Sequence, residues 1–204
     1  THVGRHPVGI NIVDPSGRLG NYNVTTNLAD IVIGKATING DVNAVSKVYG
    51  DADPANTITY NGFVNGENSN VLSGNVTFTG NPGVTGNVGN HPIHADTSGL
   101  TASDYIVGNV TDGGLTINPA SLTATGKDAT REYGDNNPGL ETVVTGGKND
   151  DTFAGNPATT TATQSSDVGN NYPIVPGTVT GTKINNYVVS NVNGKLTVTP
   201  APLT

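Results

Sequence analysis

The feature that most constrains this chain is that it repeats itself. Lys47-Val48-Tyr49-Gly50-Asp51-Ala52-Asp53-Pro54 recurs as Arg131-Glu132-Tyr133-Gly134-Asp135-Asn136-Asn137-Pro138, 84 positions later. Val88-Gly89-Asn90-His91-Pro92-Ile93 recurs as Val168-Gly169-Asn170-Asn171-Tyr172-Pro173-Ile174, and earlier as Val3-Gly4-Arg5-His6-Pro7-Val8. Asn21-Tyr22-Asn23-Val24 matches Asp104-Tyr105-Ile106-Val107 and Asn186-Tyr187-Val188-Val189. Leu115-Thr116-Ile117-Asn118-Pro119-Ala120 matches Leu196-Thr197-Val198-Thr199-Pro200-Ala201, with Ile31-Val32-Ile33 as a degenerate first copy. The landmarks keep their order at a period of about 82 residues, and a period of that length must be read before any motif. The expected organisation is the back part of one module in residues 1–36, then complete modules at 37–120 and 121–204. On this reading residues 1–36 leave an exposed strand edge, so they should dock on the next module, pair with another molecule, or mark a permuted boundary.

Within each period the apolar residues alternate, which predicts half-buried strands. Gly, Thr and Asn make up about two-fifths of the chain and aromatics 5%. Such a composition favours strands and turns over helices. Asn193-Gly194, between Tyr187-Val188-Val189 and Leu196-Thr197-Val198, predicts a two-residue hairpin, with Tyr187, Val189, Leu196 and Val198 on one face. Asp112-Gly113-Gly114 predicts the same for Tyr105, Val107, Leu115 and Ile117. Tyr-Gly-Asp-x-[Asp/Asn]-Pro reads as a turn, and Asn65-Gly66-Glu67 and Asn149-Asp150-Asp151 as openings of one helical turn. Pro119-Ala120 and Pro200-Ala201 mark the junctions, which Pro should stiffen. The expected class is all-β, an elongated tandem array of small β-sandwich or β-grasp-like modules.

These landmarks together resemble the MBG-type (YGX) repeats, which occur with related YDG repeats in large bacterial secreted proteins similar to filamentous haemagglutinin adhesins. The resemblance covers essentially all of the chain. Gly146-Gly147-Lys148 departs from the more apolar Gly62-Phe63-Val64, and the first copy lacks the Leu-Thr-x-x-Pro ending. The resemblance implies an extracellular stalk or adhesive array on a bacterial surface, not an enzyme. Its partners would be neighbouring repeats, or host glycan, mucin or biofilm polysaccharide bound by the modules themselves.

The residues exclude much chemistry. With no Cys there is no thiolate nucleophile, disulfide or Cys-based zinc site. No Gly-x-Ser-x-Gly or phosphate-binding loop occurs. A net charge of −7 argues against nucleic acid or anionic membrane as partner. No apolar run reaches the roughly 18 residues of a membrane span, and none reads as an export signal. His2 with His6, and His91 with His94, have metal-like spacing but lie beside Gly4, Pro7 and Pro92, so no helix brings them to one face. The ring at 6 and 91 becomes Tyr172 in the last copy, and half-buried packing is the expectation there. Asp51, Asp53, Asp135, Asp150 and Asp151 place oxygen ligands on loops. That suits Ca²⁺, but the ion takes roughly six to eight oxygens, and Asp53 becomes Asn137 in the next copy. Turn closure is the expected use of these acids. Tyr60 and Tyr172 are the tyrosines left for a carbohydrate platform, since Tyr22, Tyr49, Tyr105, Tyr133 and Tyr187 occupy repeat landmarks. Asn23, Asn75 and Asn109 lie in Asn-x-Thr sequons, about the number that chance gives in so Asn- and Thr-rich a chain.

Overall fold

The computed structural model of the protein describes residues 1–203, with side chains for all of these except Asn170 and Asn171 in the last Val-Gly-Asn landmark. Among the described residues the helices are three single 3-10 turns, Leu19–Asn21, Ser69–Val71 and Ile184–Asn186; everything else is strand or loop. The strands in chain order are β1 (Gly4–Pro7) and β2 (Asp30–Ile33), then β3 (Ala36–Val42), β4 (Val45–Val48), β5 (Ile58–Asn61), β6 (Thr77–Thr79), β7 (Gly89–Asp96), β8 (Tyr105–Thr111) and β9 (Gly113–Asn118). The last repeat holds β10 (Ala120–Gly126), β11 (Ala129–Glu132), β12 (Thr142–Thr145), β13 (Ala154–Gly155), β14 (Thr159–Thr160), β15 (Gly169–Val175), β16 (Val179–Thr180), β17 (Tyr187–Val192) and β18 (Gly194–Thr199). The chain divides into two compact units, residues 1–43, 56–79 and 93–113 in one, and 44–55, 80–92 and 114–204 in the other. Both units draw on residues 37–120, so this cut differs from the sequence period.

In the second unit the last repeat is sandwich-like. One sheet runs β12-β10-β17 and the other β11-β18-β15-β14, with β13 and β16 as a small extra pair. Alternation sets the core: Ala120, Leu122 and Ala124 of β10 and Leu196 and Val198 of β18 are all at most 1% exposed, while Ser121 and Lys195 face water. Ile174 and Leu196 anchor a cluster with Ala158 and Ala162, flanked by Tyr172. The two ends of the repeat meet in parallel. Ala120 pairs with Tyr187 through to Thr125 with Val192, and Ala129 with Leu196 through to Glu132 with Thr199. In the same unit β4 pairs with β9 in parallel, Val45 opposite Leu115. The link from β9 to β10 is a single residue, Pro119.

In the first unit the β5-β3-β8 sheet repeats the β12-β10-β17 plan, with an antiparallel partner on one side of β3 and a parallel one on the other. β6 pairs with the end of β7, Phe78 opposite Ala95.

The expected hairpins do not form. β17 and β18 are consecutive but lie in different sheets, each bonded to a strand from the start of its own repeat. Neither Asn193 nor Gly194 has the positive φ that a type I′ turn needs. Gly194 is required by close approach instead, because a Cβ there would stand 1.9 Å from the carbonyl O of Gly126. Gly113 likewise lies against Val42, with a Cβ-to-O distance of 2.6 Å. Parallel pairing over six residues and burial of Leu196 and Val198 outweigh the local turn preference. The anticipated inward face survives in part: Tyr105, Leu115, Ile117, Tyr187, Leu196 and Val198 are buried, whereas Val189 is 37% exposed.

The helical turn is also displaced. In the first copy it is Ser69–Val71, and Asn68 caps it by accepting from the Asn70 N–H at 3.0 Å. Asn65, Asn149 and Asp150 instead take left-handed backbone, φ 57°, 54° and 59°, and no helical turn follows Asn149-Asp150-Asp151.

Residues 1–36 form one antiparallel pair, Gly4 opposite Ile33 to Pro7 opposite Asp30. They dock on the following repeat at residues 102–104. The Val3 N–H donates to Asp104 (3.1 Å), the Ala36 N–H to the Asp104 carbonyl (3.1 Å), and Lys35 Nζ to the Ala102 carbonyl (3.0 Å). Their apolar side chains stay open: Tyr22 is 72% and Val32 66% exposed.

Candidate functional site

The most structured polar chemistry lies at the Tyr-Gly-Asp turn and the residues that receive it. Gly50 and Gly134 have φ of 88° and 90°, the value that the third position of a type II turn requires and that favours glycine. Asp51 N–H closes the first turn on the Val48 carbonyl at 3.1 Å, and Asp135 N–H closes the second on Glu132 at 3.3 Å.

A buried cation staples each turn. Lys47, 7% exposed, donates from Nζ to the Asp51 carbonyl (3.0 Å), to Asp53 Oδ1 (2.6 Å) and to the Gly83 carbonyl (2.6 Å). Asp53 also accepts from the Gly83 N–H at 2.9 Å. Burial pushes the Asp53 carboxyl up, but the Lys47 ammonium and the Gly83 N–H outweigh it and hold the group below the ordinary carboxylate range. In the last repeat Arg131, 6% exposed, takes the place of Lys47. It donates to Asn137 Oδ1 (2.8 Å), to the Glu132 carbonyl (3.0 Å) and to the Thr163 carbonyl. Asn137 replaces Asp53 and passes a further bond on to the Ala162 carbonyl at 2.7 Å.

The turn tyrosine of the first copy is received within the second unit. Tyr49 is 1% exposed; its OH donates to Asp151 Oδ2 at 2.9 Å, and the Tyr187 OH donates to the same oxygen at 2.7 Å. The two rings meet edge to face at 5.3 Å between centroids, and Phe153 packs on Tyr187 at 4.9 Å, a geometry aromatic quadrupoles prefer. The Lys148 N–H donates to Tyr187 Oη at 2.9 Å. Burial, then the neighbouring Asp151 carboxylate, pushes the Tyr187 phenol up to about 12. Lys148 lies over Gly50, whose added Cβ would stand 2.7 Å from Lys148 Cβ. Beside this, the Val88 N–H donates to Asn186 Oδ1 (2.9 Å), and Asn186 Nδ2 donates to Asn87 Oδ1 (3.1 Å).

The first unit builds the same receiving group from equivalent positions. Tyr105 OH bonds Glu67, the Val64 N–H donates to Tyr105 Oη at 3.1 Å, and Phe63 packs edge to face on Tyr105 at 5.7 Å. The hydrogen bond to Glu67 raises the Tyr105 phenol above its ordinary value. Val3 N–H and His2 both bond Asp104, at 3.1 and 2.6 Å, and His2 holds that carboxyl below its usual range. One substitution is compensated from elsewhere. Gly147 stands where the first copy has Phe63, and the ring of Phe153 fills the space beside Gly147, 3.3 Å from its added Cβ.

The acids nominated for Ca²⁺ are thus dispersed. Asp53 binds Lys47, Asp151 binds two tyrosines, and Asp51 lies 3.9 Å from Lys148 Nζ. Asp135 and Asp150 are both exposed. Among the described residues no three His, Asp or Glu side chains converge as a metal site. The histidine rings are used locally. His6 Nε2 donates to the His2 carbonyl (2.8 Å), His91 Nε2 to the Asn87 carbonyl (2.7 Å), and Tyr172 OH at the same repeat position to the Asp167 carbonyl (3.0 Å). All three are half-buried, as the sequence indicates. Tyr172 is therefore engaged; Tyr60 is half-buried, and burial raises its phenol pKa. Asn23, Asn75 and Asn109 are exposed.

Sequence reasoning passed over Lys47 and Arg131, and the acids Glu67 and Asp151 as partners of Tyr105 and Tyr187. Two signals were available. Lys changes to Arg together with Asp to Asn between copies, and an acid recurs at one repeat position wherever its tyrosine does.

Among the described residues no helix is long and apolar enough to cross a membrane. No curated protein matches the chain. The family model of the MBG domain (YGX type), a non-catalytic repeat of adhesin-type proteins, matches residues 38–116 and again 122–197. Matched over more than half its length in two consecutive copies, the chain belongs to the MBG (YGX-type) family and is a repeat segment of an adhesin-type protein.

Proposed function

We propose that this segment is a spacer: a semi-rigid extracellular stalk on a bacterial surface, which holds a binding domain of the same adhesin away from the cell. The observation that carries this reading is the short connection. One residue, Pro119, separates β9 from β10, and Pro there fixes φ and removes a donor. The modules are residues 37–120 and 121–204, with 1–36 the back part of another. Tyr49 held between Asp151 and Tyr187 supports a fixed relation of residues 44–55 to the last repeat. Each repeat would add on the order of 30–40 Å if its strands run lengthwise, from about 3.3 Å rise per residue.

X-ray scattering on this chain and on one with residues 121–204 duplicated tests the reading. A maximum dimension that rises by one repeat length per copy supports it; a rise with the square root of copy number, as for flexible linkers, defeats it. A glycan array and a mucin pull-down address the binding alternative. The spacer reading expects no saturable binding, and saturable binding lost on substitution of Tyr60 or of one loop would replace it.

A further inference from the structure

One contact between successive repeats is made twice, at equivalent positions. The Val3 N–H donates to Asp104 Oδ1 at 3.1 Å, and the Val88 N–H to Asn186 Oδ1 at 2.9 Å. The residue before each valine joins in: His2 bonds Asp104 at 2.6 Å, and Asn87 Oδ1 accepts from Asn186 Nδ2 at 3.1 Å. His6 and His91 hold these strand starts in one conformation, each ring on the carbonyl four residues earlier. The donor thus comes from one repeat and the Asp or Asn acceptor from the next.

Each acceptor is followed directly by a landmark tyrosine, Tyr105 or Tyr187, whose OH bonds an acid of its own repeat, Glu67 or Asp151. Tyr187 and Asp151 form a socket that also receives Tyr49 of the repeat before. Residues 186 and 187 therefore meet the earlier repeat at two points, the strand start at 87–88 and the turn at Tyr49. The compact unit that contains all of 121–204 includes residues 44–55 and 80–92, the two segments that carry these points.

We propose that Asn186 and Tyr187, with Asp151, are a two-point docking site for the repeat that precedes them in the same chain. Asn186 takes a backbone N–H that burial would otherwise leave without an acceptor. The Asp151 carboxylate, with about four lone-pair sites, takes the turn phenol beside that of Tyr187 in a charge-assisted bond. The site works for any consecutive pair of repeats. Tyr133 has the backbone setting of Tyr49, its N–H on the Thr199 carbonyl at 2.8 Å where that of Tyr49 is on Asn118 at 2.9 Å. A copy of residues 121–204 joined after residue 204 receives Tyr133 in its own socket and the Val168 N–H on its own Asn186. This deepens the spacer reading and fails apart from it. Glycan bound by the modules would defeat the spacer and leave the dock standing, and loss of the dock would leave the spacing to Pro119.

Tyrosine nitration by tetranitromethane, followed by peptide mass spectrometry, tests the turn half of the dock. Tyr133 is 46% exposed and Tyr49 1%, so in the parent chain Tyr133 reacts in a single phase and Tyr49 is protected. In the lengthened chain half of the Tyr133 peptide should react at the parent rate and half at least about tenfold more slowly, as for a group that reacts only through local opening. A single phase at the parent rate overturns the proposal. Amide exchange at Val88 in the parent chain tests the other half, with Leu196 as the check on folding. Asn186→Ala should speed Val88 exchange at least about fivefold, the loss of one hydrogen bond, and Asn186→Asp, which keeps an acceptor as Asp104 does, should keep it slow. Val88 exchange that ignores the alanine, or that speeds equally with the aspartate, overturns the proposal. If Asn186→Ala unfolds, the nitration result decides alone.

Discussion

The turns at Lys47–Pro54 and Arg131–Pro138 have the same backbone and share few side-chain solutions. The first is stapled by an ion pair, Lys47 to Asp53 at 2.6 Å; the second by a guanidinium on a neutral amide, Arg131 to Asn137 at 2.8 Å. The first buries its tyrosine and the second leaves it open. What the repeat keeps is therefore a set of filled hydrogen-bonding positions. Lysine can reach three acceptors as a point charge, whereas arginine's planar fork suits an amide oxygen and two carbonyls. Each cation comes with the partner that fits it.

Substitutions at matched positions break or sharpen this comparison, most strongly at the tyrosine. Tyr49→Ala should cost about 3–5 kcal/mol, as for other buried aromatics. Tyr133→Ala should stay within about 0.5 kcal/mol. Urea denaturation of both variants checks the pair, and equal losses would mean that Tyr49 gains nothing from Asp151 and Tyr187. Next comes the staple. Lys47→Met leaves Asp53 charged and largely buried, a loss of about 3 kcal/mol, while the double exchange Lys47→Arg with Asp53→Asn should restore most of it. A double variant no better than Lys47→Met would show that the two staples are not interchangeable.

The glycines give a smaller contrast. Gly50→Ala and Gly134→Ala both force alanine into positive φ, at more than about 1 kcal/mol each. Gly50→Ala should cost more, because Lys148 must also move. Titration separates the copies further. Asp53 has its folded pKa depressed, so its stabilisation is present above the unfolded value of about 3.9 and is lost as pH falls through the folded value. Asn137 has no such dependence. The urea midpoint of the parent chain should drop in that acid window, and the double exchange should flatten the drop. At the alkaline end Tyr187, with a phenol pKa of about 12, contributes stability below the unfolded value of about 10. That contribution fades as pH rises toward 12, and Tyr187→Phe removes the dependence. The smallest effect expected is that of calcium. Neither Ca²⁺ nor EDTA should move the melting temperature, since Asp53 and Asp151 already have partners.

The repeat, the alternation in β9 and β18 and the glycine of each turn were legible from residue order, because each follows from local geometry. The hairpins were not. Asn193-Gly194 has the composition of a tight turn, but Gly194 exists to admit the backbone of Gly126, 68 residues earlier. No window around Asn193 contains that reason. The socket was half legible. Tyr105 and Tyr187 stood out as landmarks, yet their acids lie 38 and 36 residues upstream, and only the parallel return of the chain brings them together.

That parallel return has a mechanical consequence. A force applied to the two ends of the last repeat would act at Ala120 and Thr199, and the first and last strands lie side by side in the same direction, β10 on β17 and β11 on β18. Pulling therefore slides these pairs along their length and loads their hydrogen bonds together, where an antiparallel hairpin would open one bond at a time. A chain under tension resists extension by its rate of unfolding. In this repeat that rate is set by two parallel seams in shear.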